Sequence, residues 1–273
     1  MKKIQMKKTL ILILITTAAG IAHGQRPLFR KDLGCGPEYA MKNRQDIVGP
    51  LSEQAPYNGI VHIGKNNGED WGTGSFISDS VLITARHVAL GLRNLELIQY
   101  TATGIHDIYF SPSEYQVIYD RTYRHSINHE VALIRFKDKR KIKFLVGTIF
   151  SLRNYTELWS SIQSDVHLTG YPFDKADANQ NRKPFVVDTL SDKHVLKDSL
   201  QISNDHTMVG YPLFTCSGDS GAPLWVRVGS NYYIIGIHYG YASGWVQDTD
   251  YNLSTLINKP EMDWVNSQLH YLK

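Results

Sequence analysis

Ser220 stands between two glycines in Cys216-Ser217-Gly218-Asp219-Ser220-Gly221-Ala222-Pro223. Glycines around a serine let a tight turn present the hydroxyl and aim backbone N–H groups at one point, the geometry of a nucleophile with an oxyanion hole. The hydroxyl attacks well only when an imidazole takes its proton, so the turn demands a histidine from elsewhere in the chain. Leu82-Ile83-Thr84-Ala85-Arg86-His87-Val88 supplies one. Such a base needs an acid on its other nitrogen, and Glu130 precedes the apolar run Val131-Ala132-Leu133-Ile134. Gly-x-Ser-x-Gly alone is weak evidence, and its weight here comes from the histidine and acid ahead of it.

That order, histidine then acid then Gly-Asp-Ser-Gly, resembles the chymotrypsin-like serine peptidases from Ile47 to Leu269. Thr84-Ala85-Arg86-His87 after Gly74-Ser75-Phe76-Ile77 is similar to the family's Thr-Ala-Ala-His after Gly-Ser-Leu-Ile. The resemblance implies His87 as general base, Ser220 as nucleophile, and the N–H groups of Gly218 and Ser220 as the oxyanion hole. Where the family has aspartate, this chain has Glu130. Glutamate keeps the charge, but its extra methylene needs a backbone shift or another rotamer. Asp120 is the nearest other acid and lacks the apolar strand that follows. The departure also supports a second function class, a protease-like binding protein with an impaired triad. Intact His87 and Ser220 favour the enzyme. An esterase of the α/β-hydrolase kind needs histidine after serine, the reverse of the order found here.

Within the family, the trypsin-like aspartate six residues before the nucleophile is Phe214 here, which disfavours cleavage after basic residues. Gly236-Ile237-His238-Tyr239-Gly240 instead resembles Gly-Ile-His-Trp-Gly of the glutamyl endopeptidase branch. Thr215, Tyr211 to Thr215 and Thr169 to Lys175 are similar to that branch too. The resemblance implies that Thr215 and His238 line the primary pocket, where a hydroxyl and an imidazole partly protonated by the incoming anion bind a substrate carboxylate. The plainer reading of His238 is a strand residue packed on the pocket wall. Ile47-Val48-Gly49 resembles the N-terminus that zymogens of the family expose, and Asp219 stands where the acid receiving that ammonium stands. Cleavage at Asp46–Ile47, trimming at Lys42 or Arg44, or a plain first strand all fit the sequence.

Composition frames these residues. A chain of 273 residues, 42% hydrophobic and 11% aromatic, can pack one large or two small cores. Lys2, Lys3, Lys7 and Lys8, an apolar run from Leu10 to Ala22, and Ala22-His23-Gly24 read as a signal peptide over residues 1–24; an N-terminal anchor is the alternative, and the run is short for a membrane span. Without the leader's four lysines the 29 basic residues become 25 against 26 acidic, a net charge of −1. No basic stripe remains for nucleic acid, and the run Lys137 to Lys143 reads as a solvated connection. The two cysteines, Cys35 and Cys216, exclude a disulfide-dense scaffold. They either pair, tethering an N-terminal extension (25–46) beside the nucleophile loop, or Cys216 is a small buried residue.

Short β-rich segments at Gly59–Ile63, Tyr115–Tyr119, Val131–Phe136 and Asp165–Thr169, with a hairpin from Leu224 to His238 around Gly229-Ser230-Asn231, predict an all-β protein. Pro260, Glu261 and Asp263 open a C-terminal helix whose Val265, Leu269 and Leu272 share a face. The resemblance implies two antiparallel β-barrels of the chymotrypsin type, over 47–150 and 151–273, with that helix closing the second. The expectation is a secreted, extracellular or periplasmic, monomeric endopeptidase that cuts protein or peptide substrates after Glu or Asp. It uses no cofactor and no metal, binds no nucleic acid, and leaves the membrane once the leader is removed.

Overall fold

The computed structural model describes residues 44–65, 72–90, 92–123, 126–162, 165–172, 190–246 and 249–270. The leader, Cys35, residues 173–175 and Leu272 lie outside them. In chain order the strands are β1 (Arg44–Ile47), β2 (Ile60–Lys65), β3 (Gly72–Phe76), β4 (Val81–Ala85), β5 (Leu95–Thr101), β6 (Gly104–Phe110), β7 (Tyr115–Tyr119) and β8 (Val131–Phe136). There follow β9 (Ser151–Leu152), β10 (Val166–Gly170), β11 (Leu190–Val195), β12 (Gln201–Ile202), β13 (Met208–Tyr211), β14 (Pro223–Val228), β15 (Asn231–Val246) and β16 (Thr249–Leu256).

They form two sheets. The first runs β6-β5-β2-β3-β4-β8-β7 and the second β1-β11-β10-β14-β15-β16-β13-β12, with β9 beside β15. Pairing is antiparallel except for β9 on β15. β5 shows the one-sided pattern of a half-buried strand, Leu95 and Leu97 inward and Glu96 and Ile98 less covered. β4 is buried on both faces, because it lies between its own core and the second sheet. β1 belongs to the second sheet: Ile47 sits opposite Leu190 of β11 and is 1% exposed.

One core is built on Ile60, Val61, Ile63, Phe76, Leu82, Leu97, Leu133 and Ile134, and the other on Val166, Leu168, Tyr211, Leu213, Leu224 and Val226. Burial of this aliphatic surface, at about 25 cal/mol per Å², is the main force holding each half. The helix Lys259–His270 starts where Asn258 Oδ1 accepts from the Glu261 N–H at 3.1 Å. Its Val265 is fully buried, and Met262, Trp264 and Leu269 pack beside it against the first core.

Candidate active site

The register of β4 on β8 brings His87 and Glu130 together. Ala85 pairs with Val131, so the next residues outward, Arg86 and Glu130, meet where both strands end, and the Arg86 N–H donates to Glu130 O at 3.0 Å. The short helix Arg86–Ala89 then turns the His87 ring back over the acid. Glu130 Oε2 lies 3.0 Å from His87 Nδ1 and accepts from the His87 backbone N–H at 3.1 Å. Its Oε1 accepts from Arg86 Nη2 at 2.5 Å. Burial alone would push the Glu130 pKa up; the hydrogen bond to His87 and the Arg86 and His87 charges outweigh it and hold the carboxyl below its usual range. An ionised acceptor on Nδ1 sets the tautomer and leaves Nε2 free to take a proton.

Ser220 lies in the turn before β14. Gly218 and Gly221 have φ of 94° and 84°, which strongly favour glycine, and a Cβ on Gly221 would stand 2.2 Å from Thr84 Oγ1. The Gly221 N–H donates to His238 O at 2.8 Å, and Ala222 N to Asp219 O at 2.9 Å. Neither the Gly218 nor the Ser220 N–H has an acceptor among the described residues. Two free amides, of Gly218 and of Ser220 itself, are what an oxyanion hole requires.

Thr73 of β3 joins this turn to the first sheet. Its N–H donates to Ser220 O at 2.8 Å, its hydroxyl donates to Gly218 O at 2.8 Å, and Oγ1 accepts from the Tyr171 N–H at 3.1 Å. The β15–β16 register slips between His238 and Gly240, which leaves Tyr239 as the extra residue of a bulge. The Tyr239 ring stands edge-on to His87 at 5.5 Å, and its carbonyl accepts from the Ser220 hydroxyl at 3.5 Å. His87 and Ser220 thus share one neighbour. The Ser220 hydroxyl points at that carbonyl and not at the imidazole, and the hydrogen bonds of such a site often tighten only in the substrate complex.

Beside the turn, His238 and Thr215 are 1% and 3% exposed. His238 Nδ1 is 2.7 Å from the Tyr211 hydroxyl, which is 2.7 Å from Ser254 Oγ. Burial, then the Lys193 and His87 charges, lower the His238 pKa to about 3, so the imidazole is neutral at ordinary pH. Asn252 Nδ2 donates to Leu213 O, so its Oδ1 faces Thr215 as an acceptor and the Thr215 hydroxyl donates to it.

Asp219 is fully buried, accepts from the Cys216 N–H at 3.0 Å, and pairs with Lys193 Nζ of β11 at 2.7 Å. Lys193 is itself 1% exposed. Its burial pulls the ammonium pKa down, and the Asp219 carboxylate opposes that pull. Gly170 makes room for the pair, since a Cβ there would stand 2.6 Å from Asp219 Oδ1. Cys216 is disulfide-bonded.

Sequence reasoning singled out His87, Glu130, Ser220, Gly218, Thr215, His238 and Asp219, and these gather around one turn. Ile47 lies in β1, away from the carboxylate of Asp219 that Lys193 occupies. Arg86, Thr73, Tyr239, Tyr211 and Lys193 were not singled out. Tyr211 and Tyr239 stood only inside segments resembling the glutamyl endopeptidase branch, and the signal for Arg86 was a charge wedged between the apolar β4 and the histidine. Among the described residues, no cluster of three or more His, Cys, Asp or Glu could hold a metal, and no helix is long and apolar enough to cross a membrane.

A family model described as Trypsin matches residues 50–259. Among solved structures, the chain is similar to a Glu endopeptidase in complex with MPD, with TM-score 0.59 and 19% identity over 83% of this chain and 96% of that one. No curated protein matches.

Proposed function

The chain belongs to the trypsin family of serine endopeptidases, and we propose that it cuts peptide chains after acidic residues through an acyl-enzyme on Ser220. His87 Nε2 takes the Ser220 proton as Oγ attacks the scissile carbonyl carbon. The Gly218 and Ser220 N–H groups receive the negative oxygen. The C–N bond breaks, and His87 hands its proton to the leaving amine. Water then gives a proton to His87 and attacks the ester, the acyl C–Oγ bond breaks, and His87 returns the proton to Ser220 Oγ as the acid product leaves. The observation that carries this reading is Glu130 Oε2 on both His87 Nδ1 and the His87 N–H, which fixes the ring for proton transfer.

Acidic specificity is supported by the similarity of His238 and Thr215 to the glutamyl endopeptidase pattern, and by the fold shared with a Glu endopeptidase. The hydrogen bonding changes how a carboxylate would be bound. The neutral His238 ring is held by the Tyr211 hydroxyl at Nδ1 and by the Leu253 backbone, while the Thr215 proton is committed to Asn252. The recognising group in this reading is therefore a neutral imidazole held by Tyr211 and Leu253, and not an imidazolium.

Activation also takes a different route from a zymogen in this reading. Lys193 already supplies Asp219 with a cation, so the oxyanion turn is ordered without a new N-terminus at Ile47. Export to an oxidising compartment is supported by the disulfide of Cys216 and by the leader over residues 1–24.

Labelling with a serine-directed fluorophosphonate, with Ser220→Ala as control, tests the chemistry; an unlabelled wild-type protein would sink it. Peptides differing only at P1 test the specificity, and equal rates after Glu, Gln and Leu would refute it. An Asp46→Ala protein that keeps full activity, with an N-terminus upstream of Ile47, is the outcome expected for activation.

A further inference from the structure

We propose that Arg86 is a positioning residue for the catalytic acid, coupled to the presence of glutamate at position 130. The inference rests on the triad reading above. A glutamate side chain ends in a soft sp³–sp² torsion with two roughly equivalent settings, so nothing within the residue selects the plane of its carboxylate. Here the plane is set from both sides: Oε2 accepts from the His87 backbone and lies against its ring at 3.1 and 3.0 Å, and Oε1 accepts from Arg86 Nη2 at 2.5 Å. The guanidinium is itself tethered, because Nη2 also donates to Ser126 O at 3.1 Å. Ser126 caps the turn Ile127–His129 that leads directly into Glu130, so the arginine and the acid are fixed to the same short stretch of backbone. Both side chains are 6% exposed, so neither can be replaced by water on the other.

The two residues also depart together from the pattern the chain otherwise resembles, in which a small residue precedes the histidine and an aspartate stands at the acid's position. The extra methylene lets one carboxylate reach both a histidine and an arginine. A shorter acid beside the same arginine cannot span both, and the guanidinium, a fork of donors matched to a carboxylate, draws it off the imidazole.

Four proteins decide the matter: wild type, Arg86→Met, Glu130→Asp, and the double variant Arg86→Met with Glu130→Asp. Arg86→Met is expected to lower kcat by about 10²-fold with KM unchanged, the scale of loss when a reacting group is misplaced by about 1 Å. Glu130→Asp alone is expected to fall at least as far. The double variant should exceed Glu130→Asp by about tenfold, because the competitor for the shorter carboxylate is gone. It also covers the case in which Arg86→Met fails to fold around an uncompensated Glu130, which melting curves would show. Losses that simply multiply would overturn the proposal.

A second readout needs no turnover. A far-downfield proton resonance of His87 Nδ1–H is expected in wild type, and it should be lost or shifted in Arg86→Met and regained in the double variant. An unchanged resonance in folded Arg86→Met would refute the positioning role even if Ser220 proved not to be labelled by a fluorophosphonate, so the two readings fail separately.

Discussion

At the residue scale the site is governed by who holds which proton. Glu130 is an acceptor only, His238 is neutral, and the Thr215 hydroxyl is spent on Asn252. Glu130→Gln should therefore cost kcat heavily, on the order of 10⁴-fold if the amide traps the wrong imidazole tautomer; a Gln variant as active as wild type would remove Glu130 from the mechanism. Because burial, Lys193 and His87 hold the His238 pKa at about 3, its charge does not change between ordinary acid and alkaline assay conditions. The preference for P1 Glu over P1 Gln should then be flat from about pH 6 to 8. A preference that decays across that range with the titration of one histidine would show an imidazolium at work. Tyr211→Phe, which removes the partner of His238 Nδ1, should weaken the same preference while leaving cleavage of other peptides largely intact.

At the scale of elements, β11 does something its sequence conceals. Leu190-Ser191-Asp192-Lys193-His194-Val195 is buried along nearly its whole length although four of its six residues are polar or charged. Lys193→Met should remove the cation beside Asp219, cost about 3–5 kcal/mol by leaving a buried carboxylate alone, and reduce turnover by about 10²–10³ as the oxyanion turn loosens. Adding Asp219→Asn to Lys193→Met should restore much of the thermal stability, and a melt showing no such recovery would disprove the coupling. The strands that alternate or run apolar, such as Tyr115–Tyr119 and Val131–Phe136, were legible because burial writes itself into hydrophobic periodicity. His87, Glu130 and Ser220 were each announced by a local motif, and the structure gathers them in one region. Lys193 and Thr73 were not: each acts through a partner far away in the chain, and a lysine in a strand ordinarily reads as an outward, solvated residue. The bulge at Tyr239 was equally silent, since one extra residue between paired strands leaves no mark in composition.

At the scale of the whole molecule, the site lies on the seam between two cores, and the seam carries buried histidines. Burial lowers the pKa of His62 and His238 to about 3. Folded-state values depressed below the unfolded value of about 6.5 mean that the unfolded chain binds more protons, so stability is full above that pH and is lost as pH falls toward about 3. Each histidine contributes a slope of about 1.4 kcal/mol per pH unit through that window. Glu130, held low, adds to the acid loss, whereas Glu261, whose carboxyl burial pushes up, is stabilising when protonated and opposes it. Denaturant melts from pH 7 to 4 should show the decline, and His62→Phe should make it shallower by about one proton; an unchanged slope would mean that His62 is not the group responsible. Thr73 gives the seam a further meaning. The side chain and N–H that fasten the first sheet to the second also hold the carbonyls of Gly218 and Ser220. A molecule whose halves part along this seam loses the hydrogen bonds that hold the Ser220 turn, so opening there and loss of activity should go together.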